Sequence, residues 1–208
     1  MVSRRWPLFL LLAVATVLAF WTSGPGWPWR DGLFLEYGLS REALAGGRWW
    51  TWLTHALLHG SWWHALFNIL SLWFVGKHLC DHYGPAFFSA VIAAGTFAGG
   101  LAQLVVLGDG LLIGISGGIM AMLTCAAFLW HDRPIGFGIG FVRLGEVKGK
   151  YLGWGVLIAA FTFVLISPWL PEGGVAIGHA CHAGAALGGA VIAWCAVAFA
   201  PVGAPRSL

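Results

Sequence analysis

The sequence predicts an all-α polytopic membrane protein: six transmembrane helices with a long interfacial first loop, forming one domain over residues 1–208. Three observations carry this. The first is composition: 59% of the residues are hydrophobic and 9% are charged, against roughly 25% charged in an ordinary soluble domain. So few charges cannot cover a water-soluble globule, and a mean hydropathy of +0.82 excludes disorder, which needs low hydrophobicity and high net charge. The second is length: six apolar stretches, about 6–23, 62–80, 85–107, 115–130, 151–170 and 174–200, approach or exceed the about 20 residues of a bilayer crossing. The third is charge asymmetry. With the N-terminus cytoplasmic, the inner segments hold Arg4, Arg5, Lys77, Arg133, Arg143, Lys148, Lys150 and Arg206, and the outer ones only Arg30, Arg41 and Arg48. Both termini are therefore expected in the cytoplasm.

Arg4-Arg5 before the first stretch also fits a signal peptide, even a twin-arginine one, but no small-residue cleavage site follows at the usual distance. A retained first helix is the simpler reading. The loop over 24–61 is long for a connection, and seven of the 14 tryptophans fall within 27–63. Indoles favour the headgroup region, so this loop is expected in the interface. The fourth stretch is the shortest and begins abruptly at Ser116 after Gly108-Asp109-Gly110. Such a start below the membrane surface requires a protein-lined cavity, because lipid cannot satisfy loose backbone. No soluble domain is evident at either end, so the chain is expected to act within the bilayer. The net charge of +3 is small and scattered, which argues against a nucleic-acid partner. Cys80, Cys125, Cys181 and Cys195 show no paired spacing, so neither a disulfide framework nor a zinc knuckle is expected.

Polar side chains inside lipid are costly and point to function. Three places qualify. Gly114-Ile115-Ser116-Gly117 opens the fourth helix; Gly117 and Ala121 could be a packing pair, or Ser116 a nucleophile at a helix N-terminus whose free N–H groups stabilise an oxyanion. Near the start of the sixth helix, His182 is followed at +3, +4 and +7 by Ala185, Ala186 and Gly189, with Gly184 and Gly188 beside them. This small face lets another helix approach, although a purely structural histidine is the alternative and His179 is a rival base. On the second helix, His64 and Asn68 share a face at i,i+4, and Asn68 is the only asparagine in the chain. They could be structural, or could both donate to one oxygen. All three features lie in the outer half of the membrane.

These residues, in this order, resemble the rhomboid family of intramembrane serine proteases. The resemblance rests on Thr54-His55-Ala56-Leu57-Leu58-His59 leading to His64 and Asn68, on Gly114-Ile115-Ser116-Gly117, and on Cys181-His182-Ala183-Gly184. It implies a Ser116 nucleophile, a His182 general base, an oxyanion hole of the Ser116 N–H with Asn68 and His64, and supporting roles for Gly114 and Gly117. It implies no cofactor and no metal. It also implies a fifth helix that gates substrate entry, substrates that are themselves transmembrane proteins, a lipid environment, no obligate partner, and a bacterial inner membrane. No Asp or Glu lies within any span, so the base must be oriented without a carboxylate. Two departures stand out: Met120 occupies the place of a family Tyr that packs on the catalytic His, and Trp50-Thr51 replaces a Trp-Arg pair, with the basic residue displaced to Arg48.

Two other functions compete. A rhomboid-like protein could bind transmembrane helices without cutting them. A haem or metal protein could use His55/His59 or His78/His82, each spaced i,i+4, but neither pair has a partner pair at matching depth. HExxH is absent, and Asp109 is too isolated for an aspartyl intramembrane protease.

Overall fold

The first apolar stretch folds as helix α1 (Trp6–Ser23) in a computed structural model that describes residues 5–23, 30–106, 110–139, 142–169 and 178–199. Arg4, Arg206, Trp27, Trp29 and the Gly108-Asp109 turn lie outside these residues. The segment expected as a long loop carries three short helices, α2 (Arg30–Tyr37), α3 (Arg41–Ala45) and α4 (Thr51–Thr54), and a 3-10 turn over His55–Leu57. Ser40 starts α3 by accepting from the Ala43 amide at 3.0 Å. The pieces are tied together by side chains that bond to carbonyls at the end of α2: Thr54 Oγ1 donates to the Tyr37 carbonyl at 2.7 Å and Trp50 Nε1 to that of Glu36 at 3.2 Å.

The second stretch is one helical run made of α5 (Trp62–Ser71), a π segment (Leu72–Gly76) and α6 (Lys77–Tyr83). Ser61 caps it by accepting from the His64 amide at 3.2 Å, and Gly84, at φ +86°, ends it. There follow α7 (Pro85–Val106), α8 (Ser116–Leu129), α9 (Gly149–Ile166) with a 3-10 turn over Ser167–Trp169, and α10 (His179–Ala198). Residues 174–177, expected at the start of the sixth span, lie outside the described residues. Among the described residues, α7, α9 and α10 are long and apolar enough to cross a membrane; Trp6–Leu18 and Ser116–Leu129 are shorter apolar helices.

The structure is not purely α-helical. Between α8 and α9 an antiparallel hairpin pairs β1 (Pro134–Ile139) with β2 (Val142–Lys148), with a register shift after Phe137. The sequence does carry the strand signal: Ile135, Phe137 and Ile139 alternate with glycines, the period of a strand rather than a helix. Both strands end at α8 and α9, where the Gly149 amide donates to the Arg133 carbonyl and the Lys150 amide to that of His131.

The centre of the bundle is the contact of α7, α8 and α10, whose backbones meet almost without intervening side chains. A Cβ at Gly189 of α10 would lie 2.2 Å from the Ala121 carbonyl oxygen, and one at Gly95 of α7 would lie 2.2 Å from Ala121 Cβ. With no hydrophobic gradient between helix and lipid, such close van der Waals packing is what holds transmembrane helices together. Below it, Leu72, Leu79, Phe88, Met122 and Cys125 form a buried cluster. The outer faces are the reverse of a soluble protein: Trp63, Phe67, Ile158, Leu165 and Trp194 are all well exposed. An Arg5–Asp81 ion pair, with Nε 2.6 Å from Oδ1, ties the start of α1 to α6.

Candidate active site

Ser116 is the first residue of α8, and the chain before it is held from two sides by the segment joining α1 and α5. Leu39 and Leu112 exchange both backbone hydrogen bonds, at 3.0 and 2.8 Å, and the Gly114 amide donates to the His55 carbonyl at 2.7 Å. Gly114 has φ +106°, and a Cβ there would lie 2.6 Å from His64 Cε1 and 2.7 Å from its Nε2. Conformation and space thus both demand glycine, and the His64 ring covers the backbone two residues before Ser116.

His182 is the fourth residue of α10. Its Nε2 lies 2.8 Å from Ser116 Oγ, the distance of a hydrogen bond in which the hydroxyl donates to the ring. The rival, His179, has a different partner: its ring stacks on Phe163 of α9, centroids 5.5 Å apart and planes at 9°. His179 and His182 line a cavity of about 260 Å³ between α8, α9 and α10, with Met120, Ala159, Ala160 and Phe163. Met120 therefore borders the same space as His182 and gives it an apolar, flexible wall.

Asn68 lies one helical turn beyond His64 and is buried, and its Nδ2 has no hydrogen-bond partner among the described residues; nor does His64 Nδ1. An unsatisfied buried amide is expensive, so it marks a place where an acceptor is wanted. Behind His64 sits His59, fully buried, its ring edge-on to His64 at 5.2 Å and its backbone amide donating to Thr22 Oγ1 at 3.1 Å. Burial, reinforced by the nearby His64, pushes His59 down to about 4, and burial also lowers His55. His55 Nδ1 meets the Thr51 carbonyl at 2.8 Å.

The His55/His59 form of the metal alternative loses its geometry here. The 3-10 turn ends at Leu57 and Leu58 is extended, so His55 and His59 do not share a helical face. Among the described residues, no group of three or more His, Cys, Asp or Glu could hold a metal ion. Thr51, at the position of the displaced basic residue, is completely buried and its hydroxyl donates to the Arg48 carbonyl at 2.7 Å.

Sequence reasoning misses the two backbone ties to Leu112 and Gly114, and it misses Gln103. The Gln103 Oε1 accepts from the Cys181 amide at 3.3 Å, one residue before His182. A signal for it exists: it is the only glutamine in the chain, within an apolar helix, just as Asn68 is the only asparagine.

The family model described as the Rhomboid domain matches residues 46–199. The rhomboid protease GlpG of Photorhabdus laumondii is 29% identical over 134 residues, covering 64% of this chain and 42% of the relative. GlpG of Serratia proteamaculans is 26% identical over 178 residues, 85% of this chain and 54% of the relative. The rhomboid protease GluP of Bacillus subtilis is 30% identical over 98 residues, 47% and 19% respectively. The chain thus aligns with about half or less of the length of these curated relatives.

Proposed function

The chain belongs to the rhomboid family of integral membrane proteins, and from that premise we propose that it is an intramembrane serine endopeptidase acting on transmembrane proteins. The observation that carries this reading is the 2.8 Å approach of Ser116 Oγ to His182 Nε2, made across two helices at the end of an otherwise apolar bundle. In this reading Ser116 attacks the scissile carbonyl while His182 takes its proton, then returns that proton to the leaving amine. The tetrahedral oxyanion forms at the N-terminus of α8. There the Ser116 amide, the Asn68 Nδ2 and the His64 ring are its donors, aided by the positive end of the helix dipole. Gly114 lets His64 close over the loop, and Gly117 lets α10 approach.

Six spans, namely α1, the α5–α6 run, α7, α8, α9 and α10, make up a single domain with both termini cytoplasmic, in a bacterial inner membrane. Residues 30–61 lie in the outer interface, and α9 is the element that yields to an incoming substrate helix. No cofactor takes part. Substrates unwind locally to present a carbonyl at the depth of Ser116, which favours segments with small, helix-weakening residues.

Detergent-purified protein and its Ser116→Ala variant, each incubated with a fluorophosphonate probe and a generic transmembrane substrate, test the proposal. Labelling and cleavage that disappear in the variant are the expected result. A folded wild type that neither labels nor cleaves would favour a helix-binding protein without protease activity. Met120 beside His182 is the feature that gives this second reading its footing.

A further inference from the structure

The start of α10 lacks a cap of its own. Its N-cap residue is Gly178, which has no side chain to offer the first-turn amides. A Cβ at Gly178 would lie 2.8 Å from Leu112 Cδ1, so a side chain there would have to displace the Leu112 tip. The missing acceptor comes instead from another helix: Gln103 of α7, 78 positions away, reaches the Cys181 amide with Oε1. One turn earlier on the same face of α7 is Gly99, where a Cβ would lie 2.6 Å from Cys181 Sγ; from α8, a Cβ at Gly117 would lie 2.9 Å from the same sulfur.

Cys181 is thus clasped by two residues of α7 and one of α8, and the clasp is next to the reacting pair on both α8 and α10. Gly117 follows Ser116, and His182 follows Cys181. Whatever fixes the Gly117–Cys181 contact also fixes the Ser116–His182 distance. We propose that Gln103 is a positioning residue for His182, holding the first turn of α10 so that the imidazole reaches Ser116; this rests on the protease reading above. A serine protease with a triad orients its imidazole by a carboxylate bonded to the ring. Here the carboxylate that the spans hold, Asp81 of α6, is paired with Arg5, and orientation is transmitted through the backbone of the helix that carries the base.

Two near-isosteric variants of the full chain separate the hydrogen bond from the packing. Gln103→Leu keeps the volume and removes the acceptor; Gln103→Glu keeps both. Steady-state cleavage of a transmembrane substrate is expected to show kcat of Gln103→Leu reduced about 10-fold or more, since a displacement of about 1 Å at a reacting group can cost 10²-fold, with KM unchanged. Gln103→Glu is expected to restore most of that loss. In parallel, hydrogen exchange at the Cys181 amide is expected to quicken in Gln103→Leu and stay slow in Gln103→Glu. Should Gln103→Leu not fold, Gln103→Asn, which withdraws the carbonyl by one methylene, carries the same expectations. Wild-type kcat in the variant lacking the acceptor, equal losses in the Leu and Glu variants, or unchanged Cys181 exchange would each overturn the proposal. A wild type that neither cleaves nor takes the fluorophosphonate overturns the protease reading instead. The exchange measurement then still decides whether Gln103 caps α10.

Discussion

Two neighbours of helix α8, α10 and α9, differ sharply in how they are held. Towards α10 the contact is made by glycine and alanine, backbone against backbone; Ala180, Cys181, Ala183, Ala185, Ala186, Gly189 and Ala193 are all buried. Towards α9 it is sparse: Gly149, Gly153, Leu157 and Ala160 are buried, and a cavity of about 260 Å³ opens beside His182. Some 39% of the α10 span lies inside the protein, but only 22% of α9. The two ends of α9 contrast as well. Its start is pinned under Trp130 and Ala127, whose carbonyl oxygens would meet a Gly149 Cβ at 2.3 and 2.4 Å, while further along the helix the Phe163–His179 stack joins it to α10. The difference is a division of labour. Ser116 and His182 meet at hydrogen-bonding distance where backbones touch, whereas the α9 side is joined by two ring contacts, Phe163–His179 and Phe128–Trp154, and holds a cavity.

The most severe way to probe the tight side is chemical. Ser116→Ala is expected to lower kcat by more than about 10³-fold without changing the thermal midpoint, and adding His182→Ala should cost little more, because the two act as a unit. Asn68→Ala should follow, with kcat down about 10²–10³-fold and fluorophosphonate labelling slowed in step, if its amide is an oxyanion donor.

Acid should loosen the hold on the chain that leads into α8. His59 is held down to about 4, below an ordinary histidine near 6.5, so the unfolded chain binds the extra proton first. Stability conferred by this site is complete above about pH 6.5 and is lost as pH falls towards 4, by about 3 kcal/mol at most. Because the His55 carbonyl holds Gly114, acid-induced opening of this segment should release the nucleophile's loop. Thermal unfolding from pH 7.5 to 4.5 would check this; a flat profile would mean that His59 is hydrated.

One substitution made on each side gives the cleanest contrast. Gly189→Ala drives a methyl against the Ala121 carbonyl at 2.2 Å and should destabilise by about 1–3 kcal/mol. Gly155→Ala on α9 meets nothing within 4 Å and should stabilise by about 0.5–1 kcal/mol through helix propensity. Equal effects on the thermal midpoint would erase the distinction between the two sides. The smallest expected change is Phe163→Ala, which removes the stack on His179; an aromatic pair is worth about 0.5–1.5 kcal/mol, so cleavage of a transmembrane substrate should quicken about threefold, while hydrolysis of a small soluble ester stays constant.

Much of the candidate site is legible in the amino-acid sequence, for one physical reason. Lipid penalises polar side chains, so Ser116, His182, His64 and Asn68 stand out against their surroundings, and the small face after His182 announces a close neighbour. The helices at 62–83, 85–106 and 116–129 likewise fall on the apolar stretches expected at 62–80, 85–107 and 115–130, with Ser, Gly or Pro near their ends. The first loop is harder to read. Its short helices are stabilised by side chains bonding to distant carbonyls, as Thr54 does to Tyr37, and such bonds leave no periodic pattern. The hairpin at 134–148 escapes notice despite its glycine alternation, because a basic stretch between two spans reads as a loop when only charge is counted.

By itself, the sequence determined the environment, the helical runs and the inventory of reactive groups, since each depends on residue type and local spacing alone. Partnership was decided only by tertiary structure. Both His179 and His182 stand on one helix within a single turn, and nothing local separates a ring stacked on Phe163 from a ring 2.8 Å from Ser116. The same holds for Gln103, whose carbonyl acquires its meaning from an amide 78 positions away. A hydrogen bond needs its donor and acceptor placed to a few tenths of an ångström, and that placement is a property of how the helices pack.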